Sequence, residues 1–175
     1  MRISYDSLTG MRNPHPYCEE FTIEEYQRGE AQSQFSFVIP VFNKEKTILD
    51  ILQNLISVSS DNSEYILIND GSQDDSYKII SRWASTCGRN VIIVNCRVPF
   101  FETGCDNIGF SLSTGKYICE FQSDLIITDK TFFKRAEVAF ENFKFSSLSG
   151  RCGHSWKEIL NKRKKLFYKL KFYSH

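Results

Sequence analysis

The chain has no long hydrophobic run. Nowhere does it approach the roughly 18 to 20 consecutive apolar residues needed to cross a bilayer, and the opening MRISYDSLTGMRNPHPYCEEF lacks an apolar leader core. A membrane-spanning or secreted protein is therefore not expected. Paired cysteines are missing too: Cys18, Cys87, Cys96, Cys105, Cys119 and Cys152 show no CxxC spacing, and His15, His154 and His175 form no zinc-type cluster. This excludes a zinc module and argues against a disulfide scaffold, and reduced thiols point to a cytoplasmic location. Internal repeats and low-complexity tracts are absent as well, so solenoids and disordered segments are not expected.

What is present is the composition of one ordinary globular domain, 175 residues with 41% hydrophobic and 25% charged. A domain of this size removes roughly 70% of its unfolded surface from water, so neither cross-links nor a structural metal is required. The net charge of +1 conceals an asymmetry. Residues 156–175 hold seven Lys or Arg against Glu158 alone, leaving 15 of the 22 basic and 20 of the 21 acidic residues elsewhere, a balance of −5. An acidic main body argues against nucleic acid as a partner.

Residues 1–34 read as an N-terminal arm, because no periodicity is sustained there and Asn13-Pro14-His15-Pro16 blocks regular structure. Within it Thr22–Arg28 suggests a short helix, with Thr22 as cap and Glu25 three residues on. From Phe35 the pattern becomes regular. FSFVI is a strand ended by Pro40, and residues 45–58 form a helix whose apolar face is Ile48, Ile51, Leu52, Leu55 and Ile56. The strand EYILIN, a helix over 75–86, the strand NVIIVN, a helix over 104–113, the strand KYICEF and a helix over 130–142 follow in turn. Short apolar strands alternating with amphipathic helices predict an α/β fold with a mostly parallel sheet flanked by helices. The domain spans 35–155, and 156–175 forms a basic amphipathic C-terminal helix as a short extension. In such sheets ligands bind beyond the carboxyl ends of the strands, where the loops after 39, 69 and 121 converge.

Those loops hold the polar residues of interest. The first reads Ile39-Pro40-Val41-Phe42-Asn43-Lys44-Glu45, the second Ile68-Asn69-Asp70-Gly71-Ser72, and the last Gln122-Ser123-Asp124. Taken singly, each is consistent with an ordinary strand end or turn. In this order, with Asn107-Ile108-Gly109 and Gly115-Lys116-Tyr117-Ile118 between them, they resemble the family 2 glycosyltransferases. That family has a Pro-x-Tyr-Asn-type loop, Asp-Asp-Gly-Ser after the second strand, Arg-Asn-x-Gly, Gly-x-Tyr-Ile and an Asp-x-Asp motif. The resemblance covers about residues 35–140 and implies the GT-A, Rossmann-like form of the α/β fold.

It also implies roles. Pro40, Val41 and Glu45 would line a base and ribose pocket, Asp70 would accept a hydrogen bond from the base, and Asn107 and Ser123 would join the donor contacts. Ser72 reads better as a turn or cap residue, and Asp106-Asn107 reads equally well as the polar start of a helix. Asp124, with Gln122 as a weaker neutral ligand, would hold Mn²⁺ or Mg²⁺ against the diphosphate of a nucleotide-diphospho-sugar donor, since hard cations take carboxylate and phosphate oxygens. Three departures stand out: Asn69 and Gln122 replace aspartates, Cys105-Asp106 stands where Ala-Arg is common, and no Glu-Asp pair follows Asp124 to serve as acceptor base. His154 and Glu158 are the base candidates, His154 for its near-neutral pKa, although a histidine beside a glycine turn is more often a surface or capping residue.

The expected function is metal-assisted, inverting transfer of a sugar from a nucleotide-diphosphate donor to an unidentified hydroxyl acceptor. The alternative is a non-catalytic or truncated sugar-nucleotide-binding module. A sugar nucleotidyltransferase would show a glycine-rich basic loop after the first strand, and none follows Ile39. Segment 156–175 either docks peripherally on anionic membrane or packs on the domain with its lysines in solvent.

Overall fold

The computed structural model describes residues 1–12, 20–27, 33–144 and 146–150. The chain divides into two compact units, 1–126 and 127–175. The first contains β1 (Arg2–Ser4), α1 (Tyr5–Thr9), β2 (Glu20–Tyr26), β3 (Phe35–Val41), α2 (Ile48–Val58), β4 (Ser63–Asp70), α3 (Ser76–Thr86), β5 (Asn90–Cys96), α4 (Phe101–Leu112) and β6 (Tyr117–Glu120). In the second, α5 (Phe132–Asn142) buries Phe133, Ala136 and Ala139. Asp129 steadies its start by accepting hydrogen bonds from the Thr131 amide and hydroxyl, which hold its carboxyl below the usual range.

The six strands form one sheet in the order β1-β2-β5-β4-β3-β6. β5, β4, β3 and β6 run parallel, the Rossmann-like α/β arrangement expected from the alternating elements. β3 and β4 are near-continuous apolar runs because both faces are covered. One face packs against α2 through Ile48, Ile51, Leu52 and Leu55 and against α3 through Ile80, Trp83 and Ala84. On the other, Val38, Ile66, Ile68, Ile92 and Val94 share a core with Cys105 and Ile108 of α4. Gly109 is required there, since a Cβ would lie 2.2 Å from a Val38 methyl.

Pro40 lies inside β3 rather than ending it. Val38 turns its carbonyl toward the β6 side, where it accepts from the Phe121 amide. Pro40, two residues on, faces the same side past the last β6 pairing at Glu120, so its missing N–H breaks no ladder bond.

The N-terminal segment departs from expectation. Residues 22–26 are not a helix, because β2 pairs antiparallel with β5 from Phe21↔Cys96 to Tyr26↔Val91, and β1 pairs with β2 in turn. The capping pattern of Thr22 and Glu25 is overridden by the alternation of Phe21 and Ile23 with polar neighbours, which buries Phe21 to 1% exposure on the α4 face. Tyr5 stacks on Phe100 at 5.4 Å, joining α1 to the same core. The basic helix anticipated over 156–175 lies outside the described residues.

Candidate functional site

The loops after β3 and β4 are clasped by reciprocal bonds between backbone and side chains. Asn43 N–H donates to Ser72 Oγ at 3.1 Å, Lys44 N–H to Ser76 Oγ at 2.7 Å and Glu45 N–H to Asp74 Oδ2 at 3.0 Å. In return Asn43 Oδ1 accepts from the Gln73 amide at 2.8 Å and Glu45 Oε2 from the Asp75 amide at 3.1 Å. Asn43 adopts φ 51°, a left-handed conformation that asparagine tolerates better than most residues, which turns the chain abruptly at the strand end. Glu45 is therefore a clasp residue, a task its sequence position did not reveal. Val41 is fully buried, and its carbonyl accepts from Ser72 Oγ at 3.3 Å. Pro40 is half-buried.

Asp70, only 6% exposed, accepts from the backbone N–H groups of Phe100 at 2.5 Å and Phe101 at 3.1 Å, and so fixes the start of α4. Burial and the Asp70 carboxylate push the Cys105 thiol of α4 well above its ordinary pKa. Gly71, at φ 69°, lets the 98–99 backbone pass, because a Cβ would meet Val98 and Pro99 at 3.1 Å. Asn69 donates from Nδ2 to Asn95 Oδ1 at 2.7 Å, so a neutral amide pair occupies this strand end. The buried Oδ1 of Asn69 has no protein partner. Asn107 donates from Nδ2 to the Tyr5 hydroxyl at 2.8 Å, which turns its amide N–H toward α1.

On the loop after β6, Ser123 is buried and Asp124 exposed. Asp124 Oδ2 lies 3.9 Å from Lys44 Nζ, which brings this loop to the first one. Gln122 donates from Nε2 to Glu102 at 2.6 Å and to Glu120 at 2.5 Å. Glu102 and Asp106, one turn apart on α4, and Glu120 at the end of β6 bring carboxylate oxygens within 4.8 Å of one another. Burial, then the charges of Glu120 and Glu102, push the Asp106 carboxyl up to about 6.

Two residues of this region escaped the sequence reading. Phe42, 47% exposed at the end of β3, occupies the aromatic position of the Pro-x-Tyr-Asn loop, which was the available signal. Lys44 had none, since its partner is distant in sequence. His154 and Glu158 lie outside the described residues.

Parallel strands whose carboxyl-end loops carry these polar groups define a GT-A-type α/β domain. The chain belongs to glycosyl transferase family 2, whose model matches residues 36–174. It is similar to poly-beta-1,6-N-acetyl-D-glucosamine synthase of Staphylococcus epidermidis, at 26% identity over 115 residues, covering 66% of this chain and 27% of that protein. It also resembles the undecaprenyl-phosphate 4-deoxy-4-formamido-L-arabinose transferase of Sodalis glossinidius, at 24% over 111 residues, covering 62% and 34%. Among solved structures, S. aureus TarS residues 1–349 shares the fold with a TM-score of 0.55 and 22% identity over 62% of this chain and 32% of TarS. TarS has also been solved in complex with UDP and with UDP-GlcNAc. The chain thus spans about a third or less of these relatives. Among the described residues, no helix is long and apolar enough to cross a membrane.

Proposed function

We propose that the chain binds a nucleotide-diphospho-sugar on the loops after β3, β4 and β6 and serves inverting transfer of the sugar to a hydroxyl acceptor. The observation that carries this is the convergence of the three loops. The clasp joins the first two and the Lys44–Asp124 contact brings the third to them, at the sheet end where open α/β folds bind ligands. Family membership and the fold shared with TarS, which was solved with UDP-GlcNAc, support the donor class.

Each donor part has a chemical counterpart. The exposed Phe42 ring offers a base a stacking platform, and base–aromatic stacking is worth about 1–3 kcal/mol. After meeting the Phe100 and Phe101 amides and the Cys105 thiol, the Asp70 carboxylate keeps acceptor capacity for a base N–H. The Asn107 side-chain carbonyl, the Glu45 carboxylate oxygen not engaged with Asp75, and the Ser123 hydroxyl would take ribose or sugar hydroxyls.

The exposed Asp124 carboxylate and the Gln122 carbonyl, whose amide nitrogen is already engaged, are hard oxygen donors that suit Mn²⁺ or Mg²⁺. They would hold such an ion, whose chemistry is to neutralise the departing diphosphate. His154 would remove the acceptor proton. Segment 156–175 would bring the chain to anionic membrane, and the cytoplasm would be its location.

A thermal-shift series with UDP, GDP and their sugars, with and without Mn²⁺, tests the donor site. A ligand at 100 times its Kd adds about 2.7 kcal/mol, which raises the Tm of a domain this size by roughly 5–11 °C. No specific shift with any of them would reject the donor site. The binding-module alternative keeps the shift and predicts no release of free sugar.

A further inference from the structure

We propose that Lys44 is the chain's own cation for the donor diphosphate: it pairs with Asp124 until a nucleotide enters, then moves to a phosphate oxygen and releases Asp124. The inference rests on the donor site proposed above and assigns one of its charges.

The backbone of Lys44 is fixed. Its N–H donates to Ser76 Oγ at 2.7 Å, Ser76 is fully buried, and the neighbouring residues Asn43 and Glu45 are both clasped to the second loop. Its side chain is free by comparison, reaching from the β3 loop to the β6 loop to place Nζ 3.9 Å from Asp124 Oδ2. The side chains are 32% and 61% exposed and the distance is at the outer limit of ion pairing, so the contact contributes little and costs little to break. A diphosphate carries more negative charge than one carboxylate and forms short charge-assisted hydrogen bonds. Exchange of Asp124 for phosphate is therefore downhill for a compact ammonium on a flexible stem.

The surroundings make a cation necessary. Where Arg is common in the family, this chain has Asp106, which with Glu102 and Glu120 forms a carboxylate cluster bonded to Gln122, two residues from Asp124. Unrelieved, these charges would repel a diphosphate. Among the described residues, Lys44 is the cation that the structure brings to the Asp124 loop.

Calorimetry on the full chain with UDP, GDP, uridine and guanosine, in EDTA, tests the assignment. Lys44→Met should weaken the diphosphate that binds wild type by about tenfold or more, leave the matching nucleoside unchanged, and be partly rescued by Lys44→Arg. Lys78→Ala, which removes the same charge from the surface of α3, should change neither. Without nucleotide, Lys44→Met should also bind Mn²⁺ more tightly than wild type in an electron-paramagnetic-resonance titration, because Asp124 loses its competitor. Equal loss for nucleoside and diphosphate would make Lys44 a structural residue, and unchanged diphosphate affinity would remove it from the site; either overturns the inference while the donor site stands. Wild type binding none of the four would overturn both.

Discussion

At the scale of single residues, the site is governed by which carboxylates have neighbours to offset their charge. Asp70 has two backbone N–H groups, whereas Asp106 has Glu102 and Glu120 beside it and a buried Oδ1 without a partner. The Asp106 pKa of about 6 in the folded chain exceeds its ordinary value of 3.8, so between these values the folded state binds the proton and the unfolded state does not. Stability from this group is therefore full below about pH 4 and lost as the pH rises through 6. Asp106→Asn should raise stability at pH 7.5 by about 1 kcal/mol, discounted for the group's partial exposure, and by much less at pH 4. Urea midpoints at the two pH values check this, and an equal gain at both would show that charge is not the cause. None of this was legible in the sequence. The Glu102–Asp106 spacing places two acids one turn apart, but Glu120 reaches them only because β6 lies beside β3 beneath α4. Asp70, in contrast, is singled out by its sequence place at a strand's carboxyl end, while its hold on α4 depends on a loop 30 residues away.

At the scale of elements, residues 35–142 were largely legible, because the apolar runs of β3 to β5 and the helical periodicity of α2 and α3 report burial on two faces. Boundaries slipped where a side chain from elsewhere ends or begins an element. The α4–β6 turn is the clearest case: Glu64, fully buried, accepts from Ser36 Oγ at 2.5 Å, the Thr114 amide at 2.6 Å, the Thr114 hydroxyl at 3.0 Å and the Gly115 amide at 3.2 Å. This gives the Gly-x-Tyr-Ile segment a packing role. A Cβ on Gly115 would meet Ser36 Oγ at 2.6 Å, Ser36 N at 2.7 Å and Phe35 C at 2.9 Å, mostly backbone that cannot yield. Gly115→Ala should therefore cost about 1–3 kcal/mol of stability with nucleotide affinity unchanged, since the turn lies at the amino ends of the strands. Denaturation midpoints and calorimetry separate the two effects, and a fall in affinity at unchanged stability would contradict this placement.

At the scale of the whole molecule, residues 1–27 decide whether the parallel sheet has an exposed edge. Read from sequence they were an arm, because Asn13-Pro14-His15-Pro16 interrupts them and the strands on either side are too short to show a period. In the structure β2 covers β5 from Phe21↔Cys96 to Tyr26↔Val91, all but its first residue. Tyr5 and Phe21 are buried to 2% and 1% exposure, and the Tyr5 hydroxyl holds Asn107 on α4. Burying two such aromatic rings stabilises by about 1.5–3 kcal/mol each, before counting the β5 edge and the Phe100 ring they cover. A domain's whole stability is about 5–15 kcal/mol. Deletion of residues 1–27 should therefore leave a chain that is mostly unfolded or aggregated through the bare β5 edge, where a true arm would be dispensable. Circular dichroism melting and size-exclusion chromatography of the truncated chain beside the full one provide the measurement. An intact, monomeric truncation with an unchanged melting temperature would show that β1, α1 and β2 are additions to a sheet that is complete without them.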